Sequence, residues 1–157
     1  MTNTLFIFGA KYLIFILILV ATYCFWKLDK KKEIIRLGIF SLPLAFIVAK
    51  ILSIIYYNPR PFVVGNFTPL VNHVADNGFP SDHLLLAGTL ASLVTIFNHK
   101  VGLIFWTLTI FIAISRVYVG VHHLVDVLAS MLISIIVTVV VYFLNQKWSQ
   151  SAVKIVS

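Results

Sequence analysis

The sequence predicts an all-α protein: a polytopic membrane helix bundle of about five spans. Two observations carry this. Of the 157 residues, 61% are hydrophobic and only 11% are charged, with a mean hydropathy of +1.03. Soluble domains run near 45–50% apolar and about 25% charged, so this chain has too little polar surface to coat a water-soluble globule and is too apolar for disorder. The apolar residues also fall in continuous runs of about 20, the length at which a helix crosses a hydrocarbon core. A membrane β-barrel is excluded because its strands alternate apolar and polar residues. The length allows one domain, and no repeat divides residues 1–157.

The first span is expected at about 5–26, with no charge in Met1–Thr4 and an apolar stretch longer than a signal peptide's. The charge run Lys27–Glu33 ends it. The second is expected at about 34–57 and stops at Asn58-Pro59-Arg60-Pro61, because proline lacks an N–H and restricts the residue before it. The loop Asn58–Pro80 follows, with Pro59, Pro61, Pro69 and Pro80 and two glycines; a loop this long is usually functional or disordered. The third span is expected at about 81–97, the fourth at about 101–119 after the turn Asn98-His99-Lys100, and the fifth at about 124–144 before a more polar tail.

The net charge is +7, from 12 Lys+Arg and 5 Asp+Glu. In a membrane protein this excess sets orientation rather than marking a nucleic-acid partner. With five spans, Lys27–Arg36, Lys100, Lys147 and Lys154 share one side, which is then cytoplasmic. The loop Asn58–Pro80, the turn Gly120–His123 and the N-terminus face outward, with Lys11 a mild exception. The single cysteine, Cys24, excludes an intrachain disulfide and reads as a small hydrophobe.

Removing the inner charges leaves Lys50, Arg60, Asp82, His83, Arg116, His122, His123 and Asp126 near the outer ends of spans two to five. Ionisable groups within spans cost about 2.5–3.5 kcal/mol each at mid-membrane, so a cluster at one depth implies a polar site between helices. Lys50 has an alternative as a snorkelling lysine, and Arg60 and Arg116 as interfacial anchors. His123 reads as an exposed turn residue, His99 as an inner-turn residue, and His73 and Asp76 as loop residues.

His122 and Asp126 are four apart and share a helix face. A carboxylate there accepts from one imidazole nitrogen and frees the other as nucleophile or base. Ser81 is a good N-cap, and a helix N-terminus beginning at His83 would bind anions. Two arginines offer planar forks matched to phosphate oxygens. Together these groups read as a phosphate site with no cofactor and no metal. A metal held by His83, His122 and Asp126 stays open as an alternative, though the arginines would weaken it. So does a transporter that binds an ion or lipid headgroup without hydrolysis.

In these motifs the chain resembles the type 2 phosphatidic acid phosphatase superfamily, membrane relatives of the vanadium haloperoxidases. The family carries Lys-x6-Arg-Pro, Pro-Ser-Gly-His and Ser-Arg-x5-His-x3-Asp. The third is complete as Ser115-Arg116, His122 and Asp126; the second reads Pro80-Ser81-Asp82-His83; the first keeps Arg60-Pro61, with Lys50 three residues earlier than the pattern and Ser53 at its position. Asn58–Val63 and His73–His83 look like the bacitracin-resistance branch, the undecaprenyl-diphosphatases of bacterial cell-wall recycling. The family commonly has six spans, so a missing N-terminal element is expected.

The resemblance implies that His122 is the nucleophile that forms a phosphohistidine, that Asp126 orients it, and that His83 protonates the leaving oxygen and then activates water. It gives Arg60, Arg116, Ser81 and Lys50 to the phosphate oxygens. It implies a polyprenyl diphosphate lipid substrate, undecaprenyl diphosphate foremost, with another lipid phosphate such as phosphatidylglycerol phosphate or phosphatidic acid as the alternative. It also implies a multi-pass protein of the bacterial plasma membrane whose active site faces outward.

Overall fold

The structure, a computed structural model, describes residues 2–27 and 29–156. Seven helices follow in order: α1 (Thr2–Lys11), α2 (Leu13–Lys27), α3 (Lys31–Ile55), α4 (Pro61–Val64), α5 (Asp82–Phe97), α6 (His99–Tyr118) and α7 (Leu124–Val156). No strand occurs among the described residues beyond an isolated bridge between Pro59 and Asn77. Lys31–Ile55, His99–Tyr118 and Leu124–Trp148 are each long and apolar enough to cross a membrane. Their outward faces are apolar, as lipid requires: Ile54, Ile55, Leu103 and Leu132 are all exposed.

The expected first span is broken. α1 and α2 meet at Tyr12 with a bend of 51°, and together they pass as one further span. The Tyr12 N–H still donates to Phe8 O at 2.9 Å, and the ladder restarts when Phe15 N–H donates to Tyr12 O at 3.0 Å. A break in lipid survives only where another group satisfies the freed carbonyls. Here the Ala10 carbonyl accepts from Arg116 Nη1 at 3.3 Å.

The expected third span is α5, whose 16 residues span about 24 Å against a hydrocarbon core of roughly 30 Å. It is also the most enclosed helix, packed against α2, α3, α6 and α7, with Leu84, Leu85, Ala87, Ala91 and Leu93 fully buried. Without a hydrophobic drive between helices in lipid, such contact depends on small residues that let backbones approach. Gly88 meets Ser134 of α7 so closely that an added Cβ would collide with its side chain. A short central helix leaves a depression at its N-terminal end, and the outer loops fill its rim.

Other boundaries shift by a few residues. Asn98 is the N-cap of α6, with its Oδ1 accepting from the N–H groups of Lys100 and Val101 at 3.1 Å, so His99 opens the helix rather than forming a turn. α7 continues past residue 144 because no proline or glycine interrupts it.

The long loop is ordered by hydrogen bonds. The Asn77 Oδ1 accepts from Asn58 N–H at 2.9 Å and Phe79 N–H at 3.0 Å, while its Nδ2 donates to the α3 carbonyls of Ser53 at 2.9 Å and Tyr56 at 3.1 Å. One asparagine thus ties the end of the loop to its beginning and satisfies carbonyls at the end of α3. Leu70 N–H donates to Val119 O at 3.1 Å and fastens the middle of the loop to the end of α6.

Candidate active site

A cavity of about 670 Å³ opens at the N-terminal end of α5. Its lining includes Lys50 and Ser53 from α3, Arg60, His73, Asp76 and Asn77 from the loop, Asp82 and His83 from α5, Arg116 from α6, and His122. The motif residues Lys50, Arg60, Pro80, Asp82, His83, Arg116 and His122 line this cavity, and Asp126 lies 3.5 Å from His122 Nδ1. Both Lys50 and Ser53 line it, so the three-residue offset of the lysine does not carry it away.

His122 sits in the turn between α6 and α7 and is 3% exposed. Its Nε2 lies 3.1 Å from Arg116 Nη2 and 3.4 Å from Arg60 Nη1. Guanidinium groups only donate, so Nε2 is the acceptor and carries the lone pair. The proton is then on Nδ1, which donates to the Gly78 carbonyl at 2.9 Å. Burial pushes the His122 pKa down to about 4; Asp126 opposes this, and Arg116 and Arg60 add to it. The ring is neutral at pH 7 and directs a lone pair between two cations.

The sequence assigned Asp126 as the acceptor for His122. In the structure Asp126 Oδ2 pairs with Nδ1 at 3.5 Å, and the Gly78 carbonyl lies closer to the same nitrogen, at 2.9 Å. Asp126 is fully buried and otherwise engaged, its Oδ1 accepting from Asn58 Nδ2 at 2.7 Å and its Oδ2 from His123 N–H at 2.8 Å. The carboxylate thus sits behind the ring as a neighbouring charge and as an anchor for the turn. Gly78 allows this packing, since a Cβ there would lie 3.1 Å from Asp126 Oδ2 and 3.2 Å from Asn58 O. Asn58 and the Gly78 carbonyl were not among the expected site residues. An asparagine before a proline reads as turn chemistry, and a carbonyl leaves no trace in side-chain pattern.

Arg60 is 5% exposed and held on two sides, with Nε donating to Asp76 Oδ1 at 2.7 Å and Nη1 to Val121 O at 2.9 Å. Arg116 is 3% exposed, and its Nε has no hydrogen-bond partner among the described residues. Ser81 precedes α5 with extended backbone, but its hydroxyl makes no capping bond; it is fully buried and also without a partner. Its N–H donates to Ser130 Oγ at 2.7 Å, which pins the start of α5 to α7. Buried donors without partners cost about 1–3 kcal/mol each, so Ser81 Oγ and Arg116 Nε are both left with unused donor capacity.

Three residues differ from their expected places. His73 and Asp76 are loop residues that also line the cavity, with the His73 ring centroid 6.2 Å from that of His122. Burial, then Arg60 and Arg116, lower the His73 pKa. Partial burial alone would raise that of Asp76, but the Arg60 hydrogen bond and charge hold it below the usual carboxylate value. His123 is not freely exposed; its Nε2 lies 3.1 Å from Pro59 O. A metal at His122 is disfavoured by the two guanidinium groups on its free nitrogen, and no group of three or more His, Cys, Asp or Glu among the described residues is placed to hold one.

Residues 34–150 match the family described as the PAP2 superfamily. The chain belongs to the PAP2 superfamily. It is 33% identical over 140 residues to the undecaprenyl-diphosphatase BcrC of Bacillus subtilis (strain 168), covering 86% of this chain and 70% of that protein. It is 30% identical over 151 residues to the bacitracin transport permease protein BcrC of Bacillus licheniformis, covering 95% and 74%. Among solved structures it is similar to Aquifex aeolicus LpxE, with a TM-score of 0.75 at 23% identity over 90% of this chain and 85% of the other. It is also similar to a PAP2-type phosphatidylglycerolphosphate phosphatase from Bacillus subtilis, with a TM-score of 0.64 at 22% identity over 92% and 74%. These two likenesses establish the fold of this PAP2 protein as a multi-pass membrane bundle.

Proposed function

We propose that this PAP2 protein hydrolyses undecaprenyl diphosphate to undecaprenyl phosphate and phosphate at the outer face of the bacterial plasma membrane. The observation that carries the chemistry is the state of His122: neutral, with Nδ1 committed to Gly78 O and the Nε2 lone pair between Arg60 and Arg116. The substrate rests on the likeness to a BcrC protein named for it. The outer placement rests on the basic residues at the opposite end of the helices.

His122 Nε2 attacks the terminal phosphorus in line. The bond to the bridging oxygen breaks, and its electron pair leaves with the lipid phosphate. Arg60, Arg116 and Ser81 hold the non-bridging oxygens and the charge that develops on them, the main source of catalysis in phosphoryl transfer. Lys50 adds a cation at the cavity wall. His83, which also lines the cavity, gives a proton to the departing oxygen and then takes one from the water that cleaves the phosphohistidine; such help is typically worth about 10²–10⁴-fold. Asp126 balances the positive charge that His122 acquires.

Purified protein in detergent with undecaprenyl diphosphate releases phosphate in the presence of excess chelator, and acid-labile, base-stable label accumulates on His122 with a radiolabelled terminal phosphate. Full turnover by His122→Ala would overturn the nucleophile assignment. Phosphate release that chelator abolishes would overturn the metal-free reading.

A further inference from the structure

We infer that His73 forms a second phosphate subsite, which holds the phosphate that stays on the lipid and so selects diphosphates over monophosphates. The inference rests on the proposed phosphatase reading and deepens it. A transferring phosphoryl group offers three non-bridging oxygens, and Arg60, Arg116 and the Ser81 hydroxyl already supply donors for three. His73 is a donor beyond that set. It is half-buried in the cavity wall, its ring inclined at 73° to that of His122 at 6.2 Å between centroids. Among the described residues its Nδ1 makes only a long contact of 3.4 Å with Val74 O, and its Nε2 makes no hydrogen bond.

The loop that carries it is fixed. Asp76, three residues on, is paired with Arg60 Nε at 2.7 Å, and Asn77 is bonded to α3. His73 is therefore held over the nucleophile by the same arginine that faces the transferred group. In a near-attack arrangement the reacting phosphorus lies about 3–3.5 Å from Nε2 of His122. The second phosphorus of a diphosphate then sits one P–O–P link further out, in the part of the cavity that His73 lines. As the bridging bond breaks, its electron pair adds a negative charge to the lipid phosphate. A donor at His73 stabilises that charge, and an alkoxide leaving from a monophosphate has no phosphate there to bind.

The test compares His73→Ala and His73→Gln with wild type on farnesyl diphosphate and farnesyl phosphate in detergent. Loss of one hydrogen bond to a charged group predicts that kcat/KM for the diphosphate falls about 10–100-fold in His73→Ala. The fall for the monophosphate is at least about tenfold smaller, and His73→Gln, which keeps a donor, recovers part of the diphosphate loss. The inhibition constant of methylenediphosphonate rises relative to that of inorganic phosphate by a similar factor, a readout that needs no monophosphate turnover. Equal losses on both substrates and both inhibitors, or no loss on the diphosphate, overturn the subsite. A wild-type protein that releases no phosphate from the diphosphate overturns the phosphatase reading itself, which is a separate result.

Discussion

Asn58 Nδ2 donates to Asp126 Oδ1 at 2.7 Å, across 68 residues of sequence. The Asn58 carbonyl also accepts from Gly78 N–H at 2.8 Å, and the Gly78 carbonyl is the acceptor for His122 Nδ1 at 2.9 Å. One asparagine, three residues beyond α3, therefore sets both the carboxylate behind His122 and the carbonyl that fixes its tautomer. Asn58→Ala is expected to lower kcat about 10–100-fold with little change in KM, the loss of one charge-assisted hydrogen bond. Asn58→Asp is expected to be worse, because it places a second carboxylate against Asp126. Steady-state kinetics on both variants check this; a change confined to KM would argue for a role in binding instead.

With His122 as the proposed nucleophile, the acid limb of the pH profile is expected to report its ring. Burial holds its pKa near 4, well below the ordinary 6.5, and only the neutral ring is a nucleophile. Activity is therefore retained as pH falls through 6.5 and declines only as it approaches 4. The profile of kcat/KM, which reports the free enzyme, checks the limb. A half-maximal point at pH 6–7 assigned to His122 would contradict its buried, neutral state.

Arg116 bridges two partners with one planar fork, Ala10 O at 3.3 Å and His122 Nε2 at 3.1 Å. A lysine keeps the charge but not the fork. Arg116→Lys is expected to reduce kcat/KM by about 10²–10³-fold, the scale of losing one preorganised donor to a developing oxyanion. Phosphate-release kinetics at matched folded fraction measure it, and a loss under threefold would place Arg116 outside the reacting shell.

Gly88 of α5 faces Ser134 of α7, where an added Cβ would collide with the serine side chain. Gly88→Val inserts bulk against that side chain and is expected to destabilise the fold by about 1–3 kcal/mol. Thermal unfolding in detergent reads this as a lowered midpoint. An unchanged midpoint would mean that the two helices separate without cost.

Most of the bundle was legible because lipid imposes a simple rule on composition: continuous apolar runs must be helices with their polar backbone satisfied internally. Runs near residues 34–57 and 101–119 correspond to α3 and α6 with small shifts, and the run 124–144 to α7, which continues to Val156. The break at Tyr12 was not legible. No proline or glycine stands at that position, and the Ala10 carbonyl is satisfied by a side chain more than 100 residues away. The length of α5 could be read from Ser81 and Asn98, but its enclosure on four sides could not.

Within the site, the sequence by itself determined the ionisable side chains that are costly to place in a membrane: Arg60, Arg116, His122 and Asp126. In a chain only 11% charged, each charge needs either an inner loop or a partner, and these had no inner loop. The i,i+4 spacing of His122 and Asp126 added their proximity. The tertiary structure alone decided which atom does what. The His122 tautomer depends on a carbonyl at Gly78, the seat of Asp126 on Asn58, and the place of His73 on a loop pinned by Arg60 and Asp76. Backbone acceptors carry no residue type to recognise, and contacts across 44 or 68 residues follow from the path of the loop rather than from any local period.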